Sequence, residues 1–166
     1  MSSFLKVFLI VLLILFLIPI QYIFVQFKLK HRIYIPIVFH KLLLKILGIK
    51  VKLIGQYVVA RPLILAGNHT SYLDIIVLGS IMPICFIAKE EIKYWFLFGF
   101  LAKMQNTIFI KRKNYKTLES LNSINKELGN KSAVVLFPEG TTNTGKKILK
   151  FKSSLFNLFE NNSTLR

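Results

Sequence analysis

The sequence predicts an α/β fold, a central mixed sheet flanked by helices, preceded by an N-terminal membrane-embedded helical segment. Three observations carry this expectation. Short apolar runs bounded by turn residues, such as Leu63-Ile64-Leu65-Ala66 and Ala133 to Phe137, alternate with helical patterns. The stretch from Val7 to Phe27 is long and apolar enough to cross a bilayer's hydrocarbon core. A mean hydropathy of +0.55 with 54% hydrophobic residues is high for a soluble chain of 166 residues, so some apolar surface is expected to face lipid.

The length suffices for one domain with a real core but hardly for two. A formal charge of +16 favours anionic partners. Combined with such hydropathy, it points to anionic membrane lipid or phosphorylated substrates and away from nucleic acid. The single cysteine, Cys85, excludes an internal disulfide and any multi-cysteine metal site. The expected organisation is a membrane helix over residues 1–32, an interfacial helix over 33–48 and an α/β domain over 49–166.

Taken in order, the Val7 to Phe27 stretch is interrupted only by Pro19, Gln21 and Gln26. It is too long for a signal-peptide core and lacks a small-x-small cleavage site, so a retained helix is expected. Pro19 offers a point at which it divides, permitting a hairpin-like insertion in one leaflet as well as a straight span. Lys28, Lys30 and Arg32 outnumber Lys6 on the other side, which puts the remainder on the cytoplasmic face. Ile33 to Leu47 reads as a second helix with His40, Lys41 and Lys45 on its polar side, stopped by Gly48. It suits the membrane interface or packing against the domain.

Val51 to Ile54 and Pro62 to Ala66 read as strands separated by a turn at Gly55-Gln56. A helix follows from Tyr72 to Ser80, ending before Pro83, and Ile84 to Ala88 is strand-like. Trp95 to Met104 is aromatic and apolar, a helix lying on the membrane or beside an acyl chain. Thr107 to Ile110 is a buried strand running into Lys111-Arg112-Lys113. Tyr115 to Leu128 is the clearest amphipathic helix, with Leu118, Leu121, Ile124 and Leu128 on one face. Ala133 to Phe137 delivers Pro138-Glu139-Gly140-Thr141-Thr142.

The stretch Asn68 to Asp74 holds a histidine and the chain's only aspartate close together. On one continuous helix, residues five apart point about 140° away from each other. His69 and Asp74 meet only if His69 stays in the loop and Asp74 sits on the first helical turn. Ser71-Tyr72-Leu73-Asp74 fits, with Ser71 as N-cap and Asp in place of the usual Glu or Gln. Asp74 would then accept the Nδ1 proton of His69 and leave Nε2 to take a proton from a hydroxyl. The same spacing also describes a plain helix cap beside a loop histidine, and spacing alone does not separate the two. No serine or cysteine stands out as a covalent nucleophile, so direct transfer is the simpler chemistry. Glu139-Gly140 turns the chain at the sheet's carboxyl edge, where α/β folds bind ligands. Glu139 suits a hydroxyl or a bracing role to an arginine, and the Thr141 and Thr142 hydroxyls suit a polyol or phosphate. Arg112, ending a strand, suits bidentate grip of a phosphate. A Gly-containing turn and a solvated basic cluster are the plain alternatives.

Together these residues resemble the lysophosphatidic acid acyltransferase family, the 1-acyl-sn-glycerol-3-phosphate acyltransferases. Asn68, His69, Ser71 and Asp74 match its Asn-His-x-Ser-x-x-Asp block in full, and Phe137 to Thr141 match its Phe-Pro-Glu-Gly-Thr block in full. A third block is matched in part by Phe109, Ile110 and Arg112; Asn106 replaces its glycine and Lys111 its aspartate. Phe151 to Ser154 is similar to the segment that follows. The resemblance implies a glycerol-phosphate acyltransferase-like fold, with His69 as general base and Asp74 as its partner. It puts Arg112, Glu139, Gly140 and Thr141 on the glycerol-phosphate side, with Lys152 a further phosphate contact. It implies acyl transfer to lysophosphatidic acid, giving phosphatidic acid. Acyl-CoA or acyl-carrier protein would be the donor, with no metal or prosthetic group, at a bacterial inner membrane. The family's last block, a strand ending at a proline, has no counterpart, so the domain is expected to be C-terminally incomplete. A catalytically impaired, membrane-binding remnant of the fold is the alternative.

Overall fold

The computed structural model describes residues 2–56, 62–111, 118–129, 133–156 and 159. The chain divides into two compact units. The first joins Met1–Val59 to Tyr72–Pro83 and is helical. The second joins Ala60–Ser71 to Ile84–Arg166 and carries the sheet. The division departs from a linear boundary at residue 48, because the helix after the first strand packs on the helix before it.

In the helical unit, α1 (Ser3–Gln26) is one helix of 24 residues, capped by the Ser2 hydroxyl, which accepts from the Leu5 N–H. At 1.5 Å per residue it is about 36 Å long, enough to span a hydrocarbon core. It runs through Pro19 without dividing there. The ring removes one backbone N–H and crowds the preceding turn at a cost of about 3 kcal/mol, which the other backbone bonds of a 24-residue helix outweigh. A 3₁₀ turn (Lys30–Ile33) leads to α2 (Ile35–Leu47), which runs back along α1. Two contacts tie the pair near its ends: Lys6 Nζ donates to the Leu47 carbonyl at 3.2 Å, and Gln21 Nε2 to the Arg32 carbonyl at 3.0 Å. Gly48 ends α2 in the left-handed region at φ 81°, as its position in the sequence suggests.

α3 (Leu73–Ile81) packs on α2. The expected polar side of α2 is corrected here. Lys41 and Lys45 are exposed, but His40 is buried between helices. Burial holds its pKa below the usual histidine value, opposed by a hydrogen bond with the Gly79 backbone. A neutral imidazole is small and apolar enough to fill an interhelical gap, which a charged one is not. Val51 to Ile54 forms no strand either. Val51, Leu53 and Ile54 are exposed, and among the described residues no strand pairs with them. Apolar β-branched residues become a strand only where a partner exists.

The sheet unit contains β1 (Leu63–Ala66), β2 (Ile84–Lys89), β3 (Ile108–Ile110) and β4 (Ala133–Leu136), in spatial order β1-β4-β2-β3. Every pairing among them is parallel, so the expected mixed sheet is a parallel one over the described residues. The reason is connective: long helix-bearing segments, not hairpins, join successive strands. β4, central and last made, pairs Ala133 with both Leu63 and Ile84. Ala133, Val134, Val135 and Leu136 are all buried, as expected of a strand covered on both faces.

A 3₁₀ turn (Glu90–Tyr94) and α4 (Phe96–Met104) follow β2, and α5 (Leu118–Gly129) precedes β4. Ile124 and Leu128 of α5 enter the core with Cys85, Ile87, Ile108, Ile110, Val134 and Leu136, joined by Leu155 of the short α6 (Ser153–Phe156). Burial pushes the Cys85 thiol well above its usual pKa, aided by Glu127, so it is a packing residue with little thiolate character.

Candidate active site

Parallel pairing of β1 with β4 sets Ala66 opposite Leu136, which brings two carboxyl ends level at one edge of the sheet. The Gly67 N–H donates to the Leu136 carbonyl at 3.2 Å, extending the pairing by one residue. Two loops distant in sequence, Asn68 to Thr70 and Phe137 to Gly145, therefore leave the same edge side by side. The Asn143 N–H donates to the His69 carbonyl at 2.9 Å and joins them. The His69 ring stacks on Phe137, with centroids 4.1 Å apart and planes 13° from parallel. Phe137 in turn lies 5.9 Å from Phe86 of β2 at 16°. One face of a half-buried imidazole is thus set against a fixed aromatic surface.

Glu139 is almost fully buried at 2% exposure. Asn143 Nδ2 donates to its Oε2, whereas Oε1 has no hydrogen-bond partner among the described residues. Asn143 is itself held, because its Oδ1 accepts from the Gly145 N–H two residues on. A buried carboxylate oxygen is costly to leave without a donor, so a further polar partner for Oε1 is expected.

Gly140 has φ +70°, open to glycine at little cost. A Cβ there would stand 2.8 Å from Lys152 Nζ, so the missing side chain is what lets the ammonium approach the turn. The Lys152 N–H donates to the Pro138 carbonyl at 2.9 Å, which fixes the start of its side chain. Lys152 and Gly140 line a small cavity of about 60 Å³ with Lys89, Ile110, Phe137 and Leu155.

His69, Glu139, Gly140 and Lys152 thus share one sheet edge. Thr141 is exposed, and its hydroxyl donates to the Thr142 carbonyl at a long 3.4 Å. Asp74 lies in the first turn of α3, within the helical unit. The helix starts one residue later than expected: Tyr72 rather than Ser71 is the cap residue, and its side chain makes no capping bond. Arg112 lies outside the described residues. Lys111, in the place of a usual aspartate, makes a loose exposed pair with Glu90 at 3.9 Å. Among the described residues no three His, Cys, Asp or Glu side chains converge as metal ligands. Two participants escape the sequence reading. Asn143, two residues before Gly145, carries an Asx-turn signal, whereas the Phe137 stack leaves no trace in one dimension.

Comparison with known proteins gives the family. A family model described as Acyltransferase matches residues 49–164. The lyso-ornithine lipid O-acyltransferase of Rhizobium meliloti (strain 1021) is 39% identical over 149 residues, covering 89% of this chain and 51% of the relative. The 1-acyl-sn-glycerol-3-phosphate acyltransferase of Neisseria gonorrhoeae is 37% identical over 94 residues, covering 56% of this chain and 37% of the relative. The crystal structure of the 1-acyl-sn-glycerophosphate acyltransferase of Thermotoga maritima superposes with a TM-score of 0.61 at 24% identity, covering 93% of this chain and 70% of that one, a likeness of fold. The chain spans about half the length of the Rhizobium relative. By its two complete blocks, its fold and the extent of the family match, the chain belongs to the acyltransferase family.

Proposed function

We propose that this chain is the catalytic part of a membrane O-acyltransferase. It moves a fatty acyl group from an acyl thioester to the 2-hydroxyl of 1-acyl-glycerol-3-phosphate, giving phosphatidic acid. The observation that carries this reading is the edge where His69, locked by Phe137 and Asn143, shares a short stretch of sheet with Glu139, Gly140 and Lys152.

His69 Nε2 takes the proton of the acceptor hydroxyl as its oxygen attacks the thioester carbonyl. The tetrahedral intermediate collapses with cleavage of the carbon–sulfur bond, and the imidazolium returns its proton to the departing thiolate. Asp74 orients the imidazole and stabilises its charged form. Lys152 and Arg112 receive the acceptor's phosphate, and Gly140 leaves room for it. Thr141 contributes polar groups to the glycerol side. Glu139 receives a glycerol hydroxyl on Oε1. Acyl-CoA and acyl-carrier protein present the same thioester, and no prosthetic group enters the steps.

The paired α1 and α2 support work at a membrane. Cationic residues lie at both ends of the pair, Lys6 and Lys45 at one and Lys28, Lys30 and Arg32 at the other. That distribution suits a helical pair lying in one leaflet among anionic head groups, with the cytoplasmic face of a bacterial inner membrane the natural side.

A second reading, acylation of a lyso-ornithine lipid, is favoured by the longer and closer match to the Rhizobium relative. Both acceptors offer a hydroxyl to the same base. An amino-acid head group would set an ammonium against Glu139 Oε1, where a phosphate would instead seek Lys152. The experiment presents purified chain in vesicles with each acceptor in turn, and with acyl-CoA or acyl-carrier protein. Acylation of lysophosphatidate that His69→Ala abolishes is the expected result. Acylation of the ornithine lipid alone would transfer the reading to that acceptor. Vesicle binding without turnover on any pairing would mark the chain as a membrane-binding remnant.

A further inference from the structure

The sheet unit carries an aromatic corner that none of the chemistry above uses. The 3₁₀ turn ending at Tyr94 passes through an extended Trp95 into α4, and the exposed apolar residues follow without a break. Tyr94 is 74% exposed, Trp95 46%, Phe96 99%, Leu97 43% and Phe98 56%. Only Gly99 breaks the run, and it is buried. A Cβ on Gly99 would stand 2.4 Å from the Lys93 carbonyl oxygen, so the helix is drawn tightly onto the preceding turn. The Trp95 N–H donates to the Ile92 carbonyl at 3.1 Å, and the Gly99 N–H to the Trp95 carbonyl at 2.8 Å. The corner is therefore a well-bonded turn on which Phe96 stands fully exposed and its apolar neighbours are partly exposed.

We propose that this corner inserts into the surface of an anionic lipid bilayer, giving the sheet unit its own membrane contact, separate from α1. Three features select lipid over other occupants. Trp and Tyr beside fully exposed Phe form the side-chain set that settles at head-group depth. Lys93 and Lys103 flank the corner and are exposed, suited to lipid phosphates, and Lys93 Nζ lies 6.0 Å from the Tyr94 ring centroid. Glu91 is the exposed opposing charge, while Glu90 is partly engaged by Lys111. A second copy of a chain with formal charge +16 would be repelled, which disfavours self-association on this face.

The chain provides its own probe, because Trp95 is its only tryptophan. The full chain is incorporated into phosphatidylglycerol/phosphatidylcholine vesicles containing lipids brominated at graded depths, and Trp95 emission is recorded against the same chain in detergent. The expected result is a blue shift, with quenching strongest from shallow bromine positions. Phe96→Asp with Phe98→Asp should cut the quenching at least by half while vesicle flotation, governed by α1, persists. Unquenched emission at the detergent wavelength from protein that floats with vesicles would overturn the proposal. A blue shift that grows with protein concentration in detergent alone would assign the corner to a second copy and overturn it equally.

Discussion

The imidazole of His69 lies flat against the ring of Phe137, 4.1 Å between centroids and 13° from parallel. Two residues far apart in the chain meet because their strands are hydrogen-bonded neighbours. A general base works only if its nitrogen is aimed at the reacting proton, and the stack supplies one restraint on that aim. His69→Ala should lower kcat by about 10²- to 10⁴-fold, the usual worth of general base catalysis. Phe137→Ala should lower it by roughly tenfold to a hundredfold through misalignment alone, with Phe137→Tyr retaining most activity. Steady-state kinetics of the three variants checks this, and an unaffected Phe137→Ala would remove the stack from the mechanism.

An orienting role for Asp74 is separated from a plain first-turn carboxylate of α3 by comparing three replacements. Asp74→Ser and Asp74→Glu should each cost α3 no more than about 1 kcal/mol. If the carboxylate orients His69, both should nonetheless lose most of kcat, and Asp74→Asn should do so with stability nearly intact. Thermal melts beside kinetics read the two effects independently.

Asn143 braces the loop from three sides: its amide donates to Glu139, its carbonyl oxygen accepts from Gly145, and its backbone N–H holds His69. Asn143→Ala removes the donor that Glu139 has among the described residues and should destabilise the sheet unit by about 1–3 kcal/mol. Asn143→Asp should be worse near neutral pH and should recover as pH falls, because one of two facing carboxyls then protonates. Urea titrations at several pH values test the pair.

Gly140→Ala adds a methyl at φ +70° that would stand 2.8 Å from Lys152 Nζ. The backbone strain is about 1–2 kcal/mol, and the ammonium must move away. A rise in KM for a phosphate-bearing acceptor, larger than any fall in kcat, is expected. An unchanged KM would dissociate Lys152 from the acceptor.

His40 makes a prediction about acid. Its folded pKa lies below the ordinary 6.5, so below that value the unfolded chain binds a proton that the folded chain does not. Stability from the buried neutral ring is therefore present above pH 6.5 and lost as pH falls below it. His40→Leu should flatten the acid limb of a stability profile between about pH 7 and 5, measured by denaturant titration in detergent.

Much of this molecule was legible in one dimension. The strands at Leu63, Ile84, Ile108 and Ala133 and the helices between them appear close to where apolar periodicity and turn residues put them, because burial imposes that periodicity. Val51 to Ile54 forms no strand among the described residues, because a strand needs a partner that its own residues do not reveal. His40 was misread because a histidine's polarity depends on whether a neighbouring helix covers it. The motif residues His69 and Glu139 were visible as residue types in a pattern, whereas Asn143 and the ring of Phe137 gained their roles only from contacts.

By itself the sequence determined the α/β class, the apolar N-terminal helix, the cationic balance and the chemical identity of the candidate groups. These are local properties, set by side-chain type and spacing. Only the tertiary structure decided that β4, the last strand, lies between β1 and β2, and so that the loop after β4 meets the loop after β1. Strand order in a parallel sheet is chosen by the crossovers and by core packing, not by any strand's own residues. The shared edge of His69 and Glu139 follows from that choice.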